Sequence, residues 1–145
     1  MKISTTVAGM FLLVTSHAHA GQWTTSWVQG STEYQVQGKG KSGLYFSCNP
    51  NENTFVQFTD TQGRQVSNLD EGRSVYASVD GKPSLLINDT FSDAGSAAFM
   101  QFWKQLRTGK SIVITAEKLQ SATFSLAGAS RVLPKFETSD CRVMQ

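Results

Sequence analysis

Strand-length apolar segments recur along most of the chain, and each is broken by Gly, Asn, Asp or Ser. Segments this short do not form helices with a buried face, but they pair well as antiparallel strands. The pattern predicts a mainly β (α+β) fold, an antiparallel β-sandwich-like sheet of about eight strands. The candidate strands cover residues 23–29, 33–37, 44–48, 54–58, 74–79, 84–88, 111–117 and 121–128.

One segment, residues 92–110, has the periodicity of an amphipathic helix instead. Ser92 or Ser96 could cap its start, and Gly109 favours its end. We interpret its apolar stripe as part of the core, because a helix that covers a sheet must bury such a face. Four residues form the stripe at the spacing i, i+3, i+4 and i+7: Phe99, Phe102, Trp103 and Leu106.

The first twenty residues have the pattern of a secretory signal peptide. Lys2 precedes an apolar run at residues 7–14, and Ala18 and Ala20 supply the small residues that signal peptidase prefers. The run is too short to span a bilayer, and no later stretch is long and apolar enough to do so. The sequence predicts cleavage after Ala20, a single exported domain at residues 21–145, and a periplasmic or secreted bacterial protein without a membrane span.

Cleavage at this position would remove both histidines, His17 and His19. A chain without histidine cannot use a Ser-His-Asp or Cys-His mechanism, and it offers no imidazole ligand to zinc or copper. No phosphate-binding loop, nucleophile elbow or dinucleotide fingerprint is present. We therefore predict no catalytic residue, no metal site and no cofactor.

The charge of the mature chain argues against a nucleic-acid partner. Without Lys2, twelve Lys and Arg residues face eleven Asp and Glu residues, and like charges never form a run. Phosphate binding requires a basic stripe or patch, which this balance does not provide.

Two cysteines, Cys48 and Cys141, remain in a chain that is predicted to reach an oxidising compartment. A disulfide between them is the expected arrangement. It would close a loop of more than ninety residues, which the chain-entropy account values at about 4 to 5 kcal/mol. Their spacing is not the C-x-x-C of a redox enzyme, and without histidine they make a poor zinc site. An intermolecular disulfide is the alternative.

Carboxylates are the remaining candidates for chemistry, and a carboxylate-based hydrolase is one alternative function. Most of them lie in turn-like or helix-start contexts, where acidic residues are ordinary. Residues 88–93 also carry oxygen donors that calcium could use, but they lack the ligand spacing of a calcium loop, so we interpret them as a helix cap. The candidate carboxylates are Asp70, Glu71, Asp80, Asp89 and Asp93.

Aromatic side chains in the N-terminal third offer the best candidates for binding. If Trp23 and Tyr34 are exposed together with a neighbour, they form a surface for a protein or a glycan; the alternative is core packing. Residues 60–73 are polar and turn-rich, and we predict a loop that could plug a hydrolase cleft. The candidate binding residues are Trp23, Trp27, Tyr34, Tyr45, Arg64 and Arg73.

The C-terminal two thirds resembles small exported bacterial proteins of the invasion-associated locus B and VasI-like type. Three segments carry the resemblance: SVYASVDGKPSL, FMQFWKQLRTGKSIVITA and ATFSLAGASRVLPKFETSDC. Leu126, Gly128, Leu133 and Cys141 match the last of them. The match spans about residues 74 to 141 and implies a β-rich envelope protein with an accessory or binding role and no catalytic residues.

These observations favour a non-enzymatic exported accessory protein that binds another envelope or secreted protein. A link to secretion, conjugation or virulence machinery is the expectation that follows from the resemblance. The alternatives are an inhibitor or immunity protein against a cell-wall hydrolase, and the carboxylate-based hydrolase. The sequence leaves the oligomeric state open.

Overall fold

The computed structural model describes residues 21–144. The predicted signal peptide lies outside the described residues. Among the helices of residues 21–144, none has the length and apolar character needed to cross a membrane.

Two antiparallel sheets form the framework of the described chain, which confirms the mainly β prediction. The first sheet consists of β1 (Thr24–Val28), β2 (Ser31–Gln37), β3 (Gly43–Asn49), β4 (Glu52–Thr59) and β5 (Gln65–Ser67). The second consists of β6 (Val75–Val79), β7 (Leu85–Leu86), β8 (Ser111–Ala116) and β9 (Ala122–Ser125). The strand order is β1-β2-β3-β4-β5 in the first sheet and β7-β6-β8-β9 in the second. Every pairing is antiparallel.

The structure has one strand more than the eight candidates from the sequence. This additional strand is β5, and it lies in the segment 60–73 that the sequence predicts to be a loop. It pairs with β4 at one edge of the first sheet, and Val66 at its centre is buried. A strand of three residues is too short to produce a visible alternation of apolar and polar residues. The prediction of a loop is therefore wrong for these residues, although turns surround them.

The predicted helix is present as α1 (Asp93–Thr108). Ser92 is its N-cap, and the Ser92 hydroxyl accepts a hydrogen bond from the Gly95 N–H at 3.0 Å. All four residues of the apolar stripe are buried. A short helix, α2 (Ala129–Val132), and a 3₁₀ turn (Phe136–Thr138) follow the last strand.

Both sheets and α1 contribute to one hydrophobic core. Phe46 of β3 is central to it, because its ring meets Phe99, Phe102 and Trp103 of α1 at centroid distances of 5.9, 6.0 and 5.6 Å. Edge-on contacts of this kind are favourable beyond the apolar area they bury. The alternating residues of β3 thus point one face at the helix and the other at solvent.

A disulfide joins Cys48 on β3 to Cys141, 93 residues later in the chain, as the sequence predicts. Both cysteines are fully buried. The bond therefore fixes the C-terminal segment beside the end of β3, although the two are far apart in the sequence.

Candidate functional site

Two of the predicted binding residues, Trp23 and Tyr34, belong to the core. Trp23 is 3% exposed, stacks on Phe46 and donates its indole N–H to the Ser125 carbonyl at 3.0 Å. Tyr34 is 5% exposed and meets Trp103 edge-on at 5.6 Å. Burial raises the pKa of Tyr34, and the negative charge of the Asp140 carboxylate raises it further. Their assignment as partner-binding residues is corrected, because both rings face inward and pack against the core.

Tyr45 lies half-buried on the outer face of the first sheet. Its hydroxyl donates to Glu33 at 2.6 Å, and its ring meets Phe55 edge-on at 6.0 Å. Ser26 of β1 donates to the other oxygen of the same carboxylate at 3.1 Å. Burial and the Glu33 bond raise the pKa of Tyr45. Ser26, Glu33, Tyr45 and Phe55 thus form a row of contacts across neighbouring strands on the sheet surface. The Tyr45 hydroxyl already donates its hydrogen bond within this row.

Trp27 is the one predicted aromatic residue with a largely exposed ring among residues 21–144, at 71%. It lies on β1, next to Val28, which is 45% exposed. A two-residue turn, Gln29-Gly30, joins β1 to β2, and both turn residues have positive φ angles of 50° and 86°. Glycine adopts such a conformation readily, and this turn type matches the twist of a hairpin. The hairpin therefore holds Trp27 in a defined place at the side of the sheet.

The strand that carries Trp27 forms an open edge of the first sheet. Within the described chain, β1 pairs only with β2, and all five of its residues are exposed. The other edge strands, β5, β7 and β9, have three, two and four residues. Natural edge strands are usually protected by charged residues, proline, bulges or short length. β1 has no charged residue, no proline and no shift in its register with β2. We call residues 24–28 the β1 edge.

Arg64 has a structural role within the 60–73 segment. Its Nε donates to the buried carboxylate of Asp60 at 2.8 Å. Asp60 also accepts the backbone N–H groups of Gln62, Arg64 and Gln120 at 2.9 to 3.1 Å. Burial alone would raise the pKa of Asp60, but these four donors outweigh it and lower the pKa to about 2. Arg64 is thus bonded through Nε while its side chain stays 48% exposed, so its assignment to a binding surface stays a prediction.

The rest of the segment is held against the sheet as well. The Ser67 N–H donates to Asp70 at 2.7 Å, and the Asn68 side chain bonds to β4. Arg73 is exposed, while its carbonyl accepts the Asn88 side-chain amide at 2.7 Å. Leu69, 70% exposed, is the large apolar side chain that stands out from this segment. The segment is therefore anchored along most of its length rather than projecting as a long loop.

Two of the candidate carboxylates, Asp80 and Asp89, accept backbone N–H groups at a turn and before α1. Asp80 accepts the backbone N–H groups of Lys110 and Ser111 at 3.0 to 3.1 Å. Asp89 accepts the Ser92 hydroxyl and the Phe91 and Ser92 N–H groups. The bond from Ser92 lowers the pKa of Asp89, whereas a general acid needs a raised one. Asp89 is thus suited to its capping role before α1.

Three of these carboxylates, Asp70, Glu71 and Asp89, line one shallow cavity of about 300 Å³ together with Arg73. Hydrogen bonds within the protein already occupy Asp70 and Asp89. No cluster of three or more His, Cys, Asp or Glu side chains suited to a metal ion occurs in residues 21–144. Within the described chain, the β1 edge combines a strand side without a hydrogen-bonded neighbour and an exposed tryptophan.

The comparison with known families covers nearly the same region as the structure. Residues 21–133 match the model of the YfjT family, a span that contains all nine strands, both α-helices and Cys48 but ends before Cys141. No curated protein and no solved structure matches the chain. The resemblance to invasion-associated locus B and VasI-like proteins stays a prediction. Because the match covers well over half of the chain, the protein belongs to the YfjT family.

Proposed function

We propose that this protein is an exported, non-enzymatic accessory protein that binds another envelope or secreted protein through its β1 edge. The observation that carries the proposal is the combination of an open, uncharged, five-residue edge strand and a tryptophan that is 71% exposed on it. A strand of the partner would extend the first sheet beside β1.

Strand addition explains both halves of this observation. The outward backbone groups of an edge strand supply a row of hydrogen bonds to an incoming strand, and alternate side chains supply specificity. Trp27 would be the main side-chain contact. Burying a large apolar side chain contributes about 2 kcal/mol or more, and tryptophan is enriched among residues that dominate interface energies.

The buried disulfide supports an extracytoplasmic location. Cys48 and Cys141 are fully buried and bonded to each other, and such bonds persist mainly in oxidising compartments. Together with the signal peptide predicted at residues 1–20, this favours the periplasm or the exterior of a bacterial cell. A partner reached there would be an envelope or secreted protein.

The test compares two lysine substitutions on edge strands. Ser26→Lys places a positive charge in the middle of the β1 edge, where Glu33 lies directly across the hairpin and accommodates it. Thr123→Lys makes the same change at an exposed site on β9, an edge of the second sheet. The tagged mature protein is used to recover partners from a periplasmic extract of the cells that make it.

We expect the wild type and Thr123→Lys to recover the same protein, and Ser26→Lys to lose it. Equal recovery by both lysine variants would contradict the proposal. The nature of the recovered protein separates the alternatives, since a cell-wall hydrolase that is inhibited on binding would make the protein an inhibitor. A secretion component would make it an accessory factor.

A further inference from the structure

A second surface, separate from the β1 edge, lies between α1 and the segment that precedes Cys141. It is an open groove of about 640 Å³, a volume within the range of ligand sites. Two hydrogen bonds hold its walls together: the Trp103 indole N–H donates to the Pro134 carbonyl, and Arg107 Nε donates to the Leu133 carbonyl, both at 2.9 Å. We call it the α1 groove. Because its walls are already fixed, binding would require little reordering.

The floor of the α1 groove is aromatic and apolar. The half-buried ring of Phe136 lies at its base and meets edge-on, at 6.0 Å, the Trp103 ring, which is 1% exposed. Met100, 39% exposed, lies in the same lining on α1. A flexible thioether beside a fixed aromatic ring can adapt to different apolar side chains. The floor would therefore accept an aliphatic or aromatic residue of a ligand.

The rim of the groove is predominantly basic. Lys104 and Arg107 on α1 and Lys135 on the opposite wall line it, against one acidic residue, Glu137. Among residues 21–144 the ion pair found is Arg64 with Asp60, so the three cations of the rim have no carboxylate within 4.0 Å. Arg107 uses Nε for the bond to Leu133, which leaves its terminal amino groups available to a second acceptor. Clustered, unneutralised cations around a cleft attract and orient anionic ligands.

We propose that the α1 groove binds an acidic segment of a second protein that carries one or two apolar side chains among its carboxylates. Charge complementarity selects the acidic character, since carboxylates form the strongest hydrogen bonds with Arg and Lys. The aromatic floor selects the apolar side chains. The open shape favours a short stretch of extended or helical peptide over a ligand that must be fully enclosed.

Indole N–H signals in a ¹⁵N spectrum provide the readout. Trp103 reports on the groove, Trp27 reports on the β1 edge and Trp23 on the core. The probe is a capped peptide of alternating Glu and Leu with one Phe, and its matched control has Gln in place of every Glu. Phosphatidylglycerol vesicles form a separate arm, because an anionic lipid surface presents a similar charge.

We expect the Glu peptide to shift the Trp103 signal saturably and to leave the Trp27 signal in place. The Gln peptide should bind at least about tenfold more weakly, and raising NaCl from about 50 to about 300 mM should weaken the Glu peptide further. In the double variant Lys104→Glu/Lys135→Glu the affinity should fall by about tenfold or more. Lys82→Glu, at an exposed lysine outside the groove, should change it by less than about twofold.

Both substituted lysines of the groove are exposed, so the melting temperature of the double variant should match the wild type and serve as the folding control. Absence of a saturable Trp103 shift, equal binding of the Gln peptide, or unchanged affinity in the double variant would each overturn the inference. So would a groove shift caused by the vesicles alone. A Trp27 shift without a Trp103 shift would favour the β1 edge and reject the groove, so the two proposals fail separately.

Discussion

Thr54 of β4 and Arg142 of the C-terminal segment are joined by three hydrogen bonds. The Thr54 N–H and hydroxyl both donate to the Arg142 carbonyl, at 2.7 and 2.9 Å, and the Arg142 N–H donates back to the Thr54 hydroxyl at 3.0 Å. The Cys48–Cys141 disulfide lies immediately beside this contact. The C-terminal segment is thus held to the first sheet by a covalent bond and by these three hydrogen bonds.

Removal of the disulfide in Cys48→Ala/Cys141→Ala should lower the free energy of unfolding by about 3 to 5 kcal/mol, because the bond closes a long loop in the unfolded chain. Urea denaturation of the variant and the wild type measures the difference. In the same samples, the wild type should show no free thiol after denaturation without reductant. Two titratable thiols per chain would contradict the pairing.

Thr54→Val should destabilise the protein by about 1 to 2 kcal/mol, because it removes the hydroxyl and leaves the partly buried Arg142 N–H without its acceptor. Valine keeps the shape of the side chain, so the effect isolates the hydrogen bonds. The control is Thr123→Val at an exposed site on β9, which should change stability by less than about 0.5 kcal/mol. Similar values for the two variants in chemical denaturation would argue against the Thr54–Arg142 contact.

The lowered pKa of Asp60 predicts a specific loss of stability in acid. The pKa falls from 3.8 to about 2 in the folded protein, so the ionised carboxylate stabilises the fold fully above the unfolded value and progressively less as the pH drops toward 2. Asp60→Asn removes this charge at every pH. The difference in unfolding free energy between wild type and variant should therefore shrink between about pH 5 and pH 2. A difference that stays constant over this range would show that the carboxylate charge is not responsible.

Gly95→Ala should destabilise the protein even though alanine is the better helix former. A Cβ at Gly95 would meet the Asp89 backbone carbonyl and the Asp89 carboxylate, which holds the N-cap residue Ser92 in place. The expected cost is about 2 to 3 kcal/mol from overpacking, read from thermal or urea unfolding. Ala97→Gly at an exposed position of the same helix should cost only about 1 kcal/mol. A stabilised Gly95→Ala protein would mean that this contact is absent.

Patterns within one segment predicted the helix and most strands, because periodicity depends on local residues. The stripe from Phe99 to Leu106 is visible as four apolar residues spaced so that they share one helix face. The disulfide was predictable for a different reason: the chain has two cysteines and a signal-like start. β5 was missed, since a three-residue strand is defined by its pairing with β4 and not by its own sequence.

Burial of the aromatic residues could not be predicted in the same way. Trp23 and Trp27 lie four residues apart in one segment, yet one is 3% and the other 71% exposed. Trp23 is buried because Ser125, 102 residues away, accepts its indole N–H and because Phe46 stacks on it. Likewise, the α1 groove exists because the segment around Phe136 folds back on α1, a tertiary contact without a local signal.

Binding through the β1 edge requires that Trp27 contact another protein in the cell. Photo-crosslinking tests this with p-benzoylphenylalanine in place of Trp27 and, in a matched protein, in place of Tyr76, an aromatic residue of β6 that is 43% exposed. We predict a single adduct with another envelope protein from position 27, lost when Ser26→Lys is added, and no such adduct from position 76. The same adduct from both positions, an adduct with a second copy of this chain alone, or no adduct from position 27 would contradict binding through the β1 edge.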